Sequence, residues 1–501
     1  MMSAIHEQAM NYVYQQVLQR LLGYFTRAER TALQLLIQRL IVAAGGIEQI
    51  STFTVMIAFG GGKDSAYTVA LLRAAQLSIA ARAPGTFNLR VATLRHAGIT
   101  PAVMGNIHRV YSALFLYDDP RVEMLVFDHQ YTHAFEPDLP FSTAGREQNR
   151  CDMLQAGHLS AGDARTTFCN SCYLGLAQFL GRAVSWGNGA DAVVSGDSRK
   201  EQKHYITWLM RVAQGSGLHT GHWRNQNLQS VMRSLEHIGQ AWVHELYGED
   251  ESQVCGVRPP SVPATPSSPI FVPINDLICG KADDHWNLLT EFLAFRFEDL
   301  AFSFSESDCA NPLLMAHMHG LRAQWVEQRE YADGLADYLI LARSLMRSKQ
   351  MPARLIEQAM AAYDGAPQLE ARRELAADFA QQAYGLSEAQ LVCMLFSPFV
   401  DRGAGLEAFL RRCHPGMLVA LADLHRALDG QSAPDQVLLW LVEISGLTLA
   451  GLQGLYKRRS LTMTDPASII ARIRLADPDQ RRIRRIDSHS GELQIVRLTG
   501  R

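Results

Sequence analysis

The 501-residue sequence lacks any run of about eighteen apolar residues without a charge, the length that a helix needs to cross a bilayer. The largely apolar stretch of residues 35–46 is too short to span and carries Gln38 and Arg39. The residues before it do not resemble a secretory signal. We therefore expect a buried amphipathic helix here, and no membrane partner.

The sequence also lacks a strong charge of either sign. The formal net charge is −3 and the isoelectric point is near 6.6, which argues against a large polyanionic substrate. Only the C-terminal tail is basic, and it is interpreted either as a solvated or docked segment or as an arm that contacts phosphates. Residues 488–491 lie between two alternating runs and predict a hairpin. The clustered arginines are Arg472, Arg474, Arg481, Arg482, Arg484 and Arg485.

Cysteine is sparse, and its spacing excludes a disulfide framework. The eight cysteines are scattered irregularly along the chain, which favours a reducing cytoplasm as the expected compartment. Only Cys169 and Cys172 form a close pair, and they precede a helix predicted over residues 173–184. This pair is the one thiol motif that the sequence offers.

The composition that remains is that of a globular protein, with 48% hydrophobic and 19% charged residues. The length predicts two or three domains, and no internal repeat is visible. We expect a helical segment over 1–48, an α/β domain over 49–325 and a mostly helical domain over 326–501 that ends in the basic tail. An insertion is expected near 213–270, where residues 258–269 are rich in proline and serine.

Strand and helix patterns alternate in the α/β region. Short apolar, β-branched runs predict strands, and runs with helical periodicity between them predict helices. This alternation indicates βαβ units and a mainly parallel sheet. The predicted strands are 52–59, 89–94, 122–127 and 191–195, and the predicted helices are 66–75, 102–114 and 173–184.

A glycine-rich segment follows the first predicted strand and precedes a helix. In such a turn, backbone N–H groups and the positive end of the helix form an anion site, and glycine lets the backbone approach phosphates closely. The segment is neither a Walker A loop, because Asp64 follows Gly62-Lys63, nor a G-x-G-x-x-G fingerprint. Its residues are Gly60, Gly61, Gly62, Lys63, Asp64 and Ser65.

This segment resembles the Ser-Gly-Gly-x-Asp-Ser motif of the pyrophosphate-loop (PP-loop) ATP pyrophosphatases, within the adenine-nucleotide alpha-hydrolase group. It departs at Gly60, where the family has serine. The resemblance implies a Rossmann-like parallel-sheet domain of the HUP type that binds ATP and Mg²⁺. Family members transfer AMP to a carbonyl or carboxyl oxygen, release pyrophosphate, and let a nucleophile displace AMP. Lys63, Asp64 and Ser65 are accordingly the expected catalytic residues, and all six loop residues are expected to bind ATP.

A second nucleotide-contacting turn is expected after the strand at 191–195. The family has a short Gly-containing turn with polar residues here, and Gly196, Asp197 and Lys200 are the candidates in this sequence. The alternative is a solvated loop. Arg95, just after the second strand, is expected near the adenine or the substrate.

The cysteine pair has three interpretations. Many tRNA thiolases of the PP-loop family hold an iron–sulfur cluster on a CxxC and a later cysteine, which here implies Cys169, Cys172 and Cys309. Zinc is the alternative, with His317 or His319 as a further ligand, and the third interpretation is that no metal binds. Cys279 would serve in place of Cys309 in either site.

These features leave three functional hypotheses. The first is an ATP-dependent sulfurtransferase that uses a [4Fe-4S] cluster. The second is an amide-forming ligase or amidotransferase acting on a small molecule or sugar, and the third is a degenerate nucleotide-binding regulatory module. The expected partners are ATP, an acceptor that is a small molecule, a sugar or tRNA, a sulfur or amine donor protein, and a second copy of the chain in a homodimer.

Overall fold

A computed structural model describes most of the chain. Its described residues are 4–129, 131–195, 207–213, 228–248, 269–274, 276–277, 285–296, 311–348, 351–476, 480–486 and 493–499.

The α/β region is built on a six-stranded sheet with strand order β4-β3-β2-β1-β5-β6. Five strands run parallel, and only β4 is antiparallel to its neighbour. β1 occupies the middle, with Ile57 paired to Val91 of β2 on one side and to Val194 of β5 on the other. The strands are β1 Thr54–Ala58, β2 Asn88–Arg95, β3 Val122–Asp128, β4 Tyr131–Ala134, β5 Ala192–Val194 and β6 Ile270–Val272.

Most of the remaining described chain is helical, and the structure is therefore α/β with a high helix content, compatible with a Rossmann-like fold. In chain order the first helices are α1 Ala4–Tyr24, α2 Arg27–Ala43, α3 Lys63–Ala80, α4 Pro101–Ala113, α5 Thr143–Leu159, α6 Ala164–Ser185, α7 Leu228–Tyr247 and α8 Pro312–Leu321. They are followed by α9 Tyr331–Ser348, α10 Ala353–Ala361, α11 Ala366–Phe379, α12 Glu388–Phe396, α13 Leu406–Cys413, α14 Leu421–Leu428, α15 Asp435–Ser445, α16 Leu449–Tyr456 and α17 Ile469–Leu475.

The four strands predicted from sequence are confirmed, each within two residues at either end. The helix predicted to follow Cys169 and Cys172 instead begins before them, because the carboxylate of Asp163 accepts a hydrogen bond from the Thr166 amide (2.9 Å) and caps α6. An N-cap of this kind satisfies a first-turn amide and fixes where a helix starts. The backbone of both cysteines therefore lies inside α6, not ahead of a helix.

The N-terminal helices α1 and α2 share one hydrophobic core with the sheet. Leu21 and Leu36 are buried in the same cluster as Val55 of β1 and Leu71 of α3. Buried polar contacts add to this packing, because the Tyr67 hydroxyl of α3 donates to Glu29 of α2 (2.8 Å). The first 48 residues therefore pack directly onto α3, the helix that follows β1.

A second large core joins the described helices on both sides of residue 325. Met153 and Phe168 of α5 and α6 lie in the same buried cluster as Trp242 of α7, Met315 of α8 and Leu391 of α12. Part of the segment expected as an insertion thus forms a 20-residue helix packed into this core. The proposed domain boundary at 325 stays a prediction.

The C-terminal tail contains the hairpin that its sequence predicts. β7 Gln480–Ile486 pairs antiparallel with β8 Leu493–Thr499, with Ile486 opposite Leu493. Among the described residues, no single helix is long and apolar enough to cross a membrane, although α15 and α16 would pass together as a pair bent by 80°.

Candidate functional site

The glycine loop lies where the strand order of the sheet reverses. β1 ends at Ala58, the loop follows, and α3 begins at Lys63. On one side of β1 the chain order continues into β2 and β3, and on the other side lie β5 and β6. Such a switch point leaves a crevice at the carboxyl ends of the strands, where open parallel sheets bind ligands.

Two buried hydrogen bonds fix the exit of the chain from β1. The Phe59 amide donates to the Ala92 carbonyl of β2 (2.8 Å), and the Thr93 hydroxyl donates to the Phe59 carbonyl (2.8 Å). Phe59 is buried and its ring packs against Tyr111 of α4. The loop therefore starts from a rigidly held residue.

Gly61 is the one loop position where the backbone demands glycine. Its φ is +80°, a left-handed conformation that L side chains rarely adopt. A Cβ atom here would also stand 2.7 Å from Val103 Cγ1 and 3.1 Å from Ile107 Cγ1, both on α4. The loop therefore packs directly against α4. The sequence does not predict this contact, because α4 carries no recognisable motif.

The start of α3 has unused hydrogen-bond donors. Gly62 is the N-cap residue with φ −80°, and no side chain caps this helix. The first-turn amides of a helix have no intrahelical acceptor. Ser65 does not fill this role, because its hydroxyl donates back to the Gly62 carbonyl (3.1 Å). The geometry provides backbone donors and a positive helix end for an anion.

Lys63 and Asp64 stand at this opening, and the described chain offers neither of them a partner. Asp64 is exposed and Lys63 half-buried. Within the part of the chain that the structure describes, neither side chain makes a hydrogen bond or ion pair. A cation and a carboxylate are thus both available to a ligand that reaches the first turn of α3.

The second predicted turn cannot be placed in full. Gly196, Asp197 and Lys200 lie outside the described residues, and the Gly196–Lys200 assignment stays a prediction. The strand that leads into it is described, since β5 pairs with β1 and ends at Val194 beside Ile57. Residue 195 therefore leaves the sheet at the same edge as the glycine loop.

Arg95 ends β2 at this same edge. Its register partner is Asp128, the last residue of β3. Burial lowers the pKa of the Arg95 guanidinium, and the nearby Asp128 charge opposes that shift. One Arg95 N–H₂ group donates to the Ile99 carbonyl (2.8 Å), while its buried Nε has no partner within the described chain. Arg95 therefore lies at the carboxyl edge of the sheet, where a bound ligand would be within reach.

Cys169 and Cys172 lie on α6, beyond the carboxyl edge of the sheet. Further along that helix, Phe179 packs edge-on against Phe127, the next-to-last residue of β3 (ring centroids 5.5 Å apart). Cys172 precedes Phe179 by seven residues, about 10 Å of helix. The backbone of the CxxC pair is thus on the side of the sheet where β1 opens into the glycine loop.

The start of α6 is anchored by an arginine that lies 311 residues later in the chain. Arg474 of α17 donates to both carboxylate oxygens of Asp163 (2.8 Å each). Burial opposes ionisation of Asp163, but Arg474 and the Thr166 amide lower its pKa well below the usual range. Of the arginines in the basic cluster, Arg474 is therefore a structural residue, and Arg472 likewise donates to the Pro466 carbonyl (2.6 Å).

Within the described part of the chain, the structure does not bring together the residues expected to complete a metal site with the cysteine pair. Cys309 and Cys279 lie outside the described residues, and the described positions contain no group of three or more Cys, His, Asp or Glu side chains placed to hold a metal ion. His317 is buried, with its Nδ1 2.9 Å from the Tyr331 hydroxyl and its Nε2 3.7 Å from Glu388. His319 stacks on Tyr338. Both histidines are thus engaged by helices of the second core.

Comparison of the chain with protein-family models, with curated proteins and with solved structures finds no match.

Proposed function

We propose that this protein binds ATP at the glycine loop and transfers AMP to a carbonyl or carboxyl oxygen of an acceptor, with release of pyrophosphate. One observation carries the proposal. An uncapped helix start follows a glycine loop at the switch point of a parallel sheet, and Lys63 and Asp64 stand free beside it. The resemblance of Gly61-Gly62-Lys63-Asp64-Ser65 to the PP-loop motif supplies the reaction class.

Each loop residue has a role that its position supports. Gly61 and Gly62 bring backbone amides to the phosphates, and Lys63 neutralises phosphate charge. Asp64 would hold Mg²⁺, whose preferred ligands are oxygens and which offsets charge on the polyphosphate. Ser65 keeps the loop closed through its bond to Gly62. The rate enhancement would come mainly from positioning and from charge stabilisation in the transition state.

For the second step we propose sulfur as the nucleophile that displaces AMP. The support is Cys169 and Cys172, whose backbone on α6 lies at the ligand-binding edge, together with Cys309 in the sequence. Thiolates at CxxC spacing suit a [4Fe-4S] cluster or zinc. An amide-forming ligase, in which ammonia or an amine displaces AMP, is the second candidate, because the near-neutral charge suits a small acceptor.

The degenerate-module alternative depends on Gly60. The family's first-position hydroxyl is missing there, which removes one phosphate contact. The backbone donors of the loop do not depend on that hydroxyl, so we favour an active enzyme.

The decisive experiment compares wild type with Asp64→Ala. The protein is incubated with ATP and Mg²⁺ in a small-molecule extract containing sulfide and ammonia, and nucleotides are separated by chromatography. Wild type should form AMP and pyrophosphate, while Asp64→Ala should form at least 100-fold less AMP, a typical loss for one catalytic electrostatic group. Asp138→Ala, at an exposed carboxylate that follows β4 in the chain, is the matched control. ADP as the product, or full AMP formation by Asp64→Ala, would refute the assignment.

The nucleophile is distinguished by a separate experiment. Anaerobically purified protein is analysed for iron, sulfide and zinc, and pyrophosphate release is measured with sulfide or ammonia as the added nucleophile. Iron and acid-labile sulfide that are lost in Cys169→Ser support sulfur transfer. Ammonia-dependent release from a metal-free protein supports the ligase, and ATP binding without turnover supports the regulatory module.

A further inference from the structure

The flank of α4 beside the glycine loop holds two arginines side by side. Asn106 is buried, and its side-chain oxygen accepts from the Arg109 guanidinium (2.6 Å) and from the backbone amide of Arg296 (2.9 Å). The Asn106 amide group also donates to the Arg296 carbonyl (2.8 Å). Asn106 thus holds the guanidinium of Arg109 and the backbone of Arg296.

The Arg109 guanidinium is directed back toward the start of α4. A Cβ atom on Gly105 would lie 3.2 Å from one of its terminal nitrogens, so the guanidinium covers Gly105. Helical side chains lean toward the N-terminus of their helix, and α4 begins at the carboxyl edge of β2. Arg109 therefore points its charge toward the edge where the glycine loop opens.

Neither cation has an anionic partner among the described residues. In the described ranges no carboxylate pairs with Arg109 or with Arg296, and the Arg109 Nε is buried without a partner. Arg296 is exposed. Burial and the neighbouring Arg296 charge both lower the pKa of Arg109. The two like charges repel, and a bound anion would relieve the repulsion.

The pair lies beside the loop along α4. Val103 and Ile107, the side chains nearest to Gly61, are on the same two turns as Asn106. Residues three apart on a helix are about 5 Å from each other. The segment that carries Arg296 also crosses α3, because the His285 ring lies 4.1 Å from the ring of Tyr67.

We propose that Arg109 and Arg296, positioned by Asn106, form a phosphate-binding subsite next to the glycine loop. Guanidinium groups match the oxygens of phosphate in pairs of charge-assisted hydrogen bonds. The phosphate belongs either to the ATP polyphosphate or to a phosphorylated acceptor. The choice between these two sources rests on the proposed function. The existence of the anion site does not depend on it.

The test is calorimetric titration of the full chain with inorganic pyrophosphate and with inorganic phosphate. Arg109→Gln and Arg296→Gln should each weaken pyrophosphate binding about tenfold, and the double variant more, since each loses charge-assisted hydrogen bonds. Arg27→Gln, at an exposed arginine on α2, is the matched control. Arg296→Lys should retain part of the affinity because it retains the charge. Thermal unfolding of each variant verifies that the fold is kept.

Competition with a non-hydrolysable ATP analogue separates the two sources. If the subsite binds the ATP polyphosphate, saturating analogue abolishes phosphate binding and the arginine variants weaken the analogue too. If it binds an acceptor phosphate, inorganic phosphate still binds to the analogue complex and is lost only in the arginine variants. A double variant that binds pyrophosphate, phosphate and analogue like wild type overturns the subsite. If wild type binds phosphate but not ATP, and the arginine variants lose phosphate binding, the subsite is supported and the proposed function is refuted.

Discussion

Gly61 and Val103 approach so closely that the glycine loop and α4 have no room for even one added methyl group, since a Cβ at position 61 would stand 2.7 Å from Val103 Cγ1. The left-handed backbone at Gly61 adds strain for any other residue. The shape of the glycine loop is therefore set by its contact with α4 as well as by its own sequence.

Gly61→Ala should lower the free energy of unfolding by about 1–3 kcal/mol, because it combines a positive φ with overpacking. It should also weaken ATP binding by moving the loop. Urea unfolding and titration with ATP measure the two effects. Gly62→Ala is the control, since φ there is −80° and the nearest atom to an added Cβ is the Ser65 hydroxyl at 3.9 Å. Equal stability of the two variants would show that the close approach of Gly61 to Val103 does not restrict position 61.

Asp119 should make the protein sensitive to acid between about pH 4 and pH 2. Burial opposes its ionisation, but hydrogen bonds from Arg121 and the charge of Arg73 lower its pKa from 3.8 to about 2. A depressed carboxyl pKa stabilises the fold above the unfolded value, and that stabilisation is lost as pH falls through the folded value. Asp119→Asn should cost roughly 2 kcal/mol at pH 7 and flatten the acid limb of stability against pH.

The neighbouring exposed residue supplies the control for this prediction. Asp118→Asn removes the same charge one position away and should change neither the stability at pH 7 nor the acid limb. An unchanged acid limb in Asp119→Asn would exclude the Arg73–Asp119–Arg121 cluster as the source of the pH dependence.

His158 should contribute a separate loss of stability at milder pH. It is fully buried, its Nδ1 has no described partner, and burial lowers its pKa from 6.5 to about 4. As pH falls from about 6.5 to 4, the unfolded chain binds a proton that the native site rejects, so stability falls by up to roughly 3 kcal/mol. His158→Gln should reduce this slope in urea titrations at pH 7, 5.5 and 4.5. The same slope in His158→Gln and in exposed His237→Gln would assign it to other groups, such as His317.

The Asp163–Arg474 pair should show strong coupling in a double-mutant cycle. Only 24% of the Asp163 side chain and 10% of the Arg474 side chain is exposed, and loss of one partner leaves a poorly solvated charge. Arg474→Met should destabilise the protein by about 2–3 kcal/mol, while the double variant with Asp163→Ala should cost less than the sum of the single variants. Arg459→Met, at an exposed arginine, should be neutral. Additive effects would show that the two side chains act independently.

Much of the sheet was predictable because its strands are locally distinctive. β1, β2, β3 and β5 are short apolar runs flanked by turn residues, and buried parallel strands have that pattern. β4 escaped prediction, since Tyr131–Ala134 is mostly exposed and exists only through pairing with β3. Its four residues carry no periodic signal of their own.

The glycine loop was visible in sequence, but its surroundings were not. The conformational need for glycine at position 61 is local, whereas its contact with Val103 and the Asn106 bridge to Arg296 join residues far apart in the chain. The start of α6 shows the same limit. Asp163 is a residue type that often caps helices, yet the predicted helix begins only at residue 173, after the thiol motif.

The bond between Asp163 and Arg474 spans 311 residues of chain. During synthesis on a ribosome, the sheet and the glycine loop can form long before residue 474 leaves the exit tunnel, since domains fold as their residues emerge. The end of α6 that carries Cys169 and Cys172 gains its arginine anchor only after residue 474 has emerged. A nascent chain released before residue 474 emerges would therefore hold a finished glycine loop beside an α6 that lacks its arginine anchor.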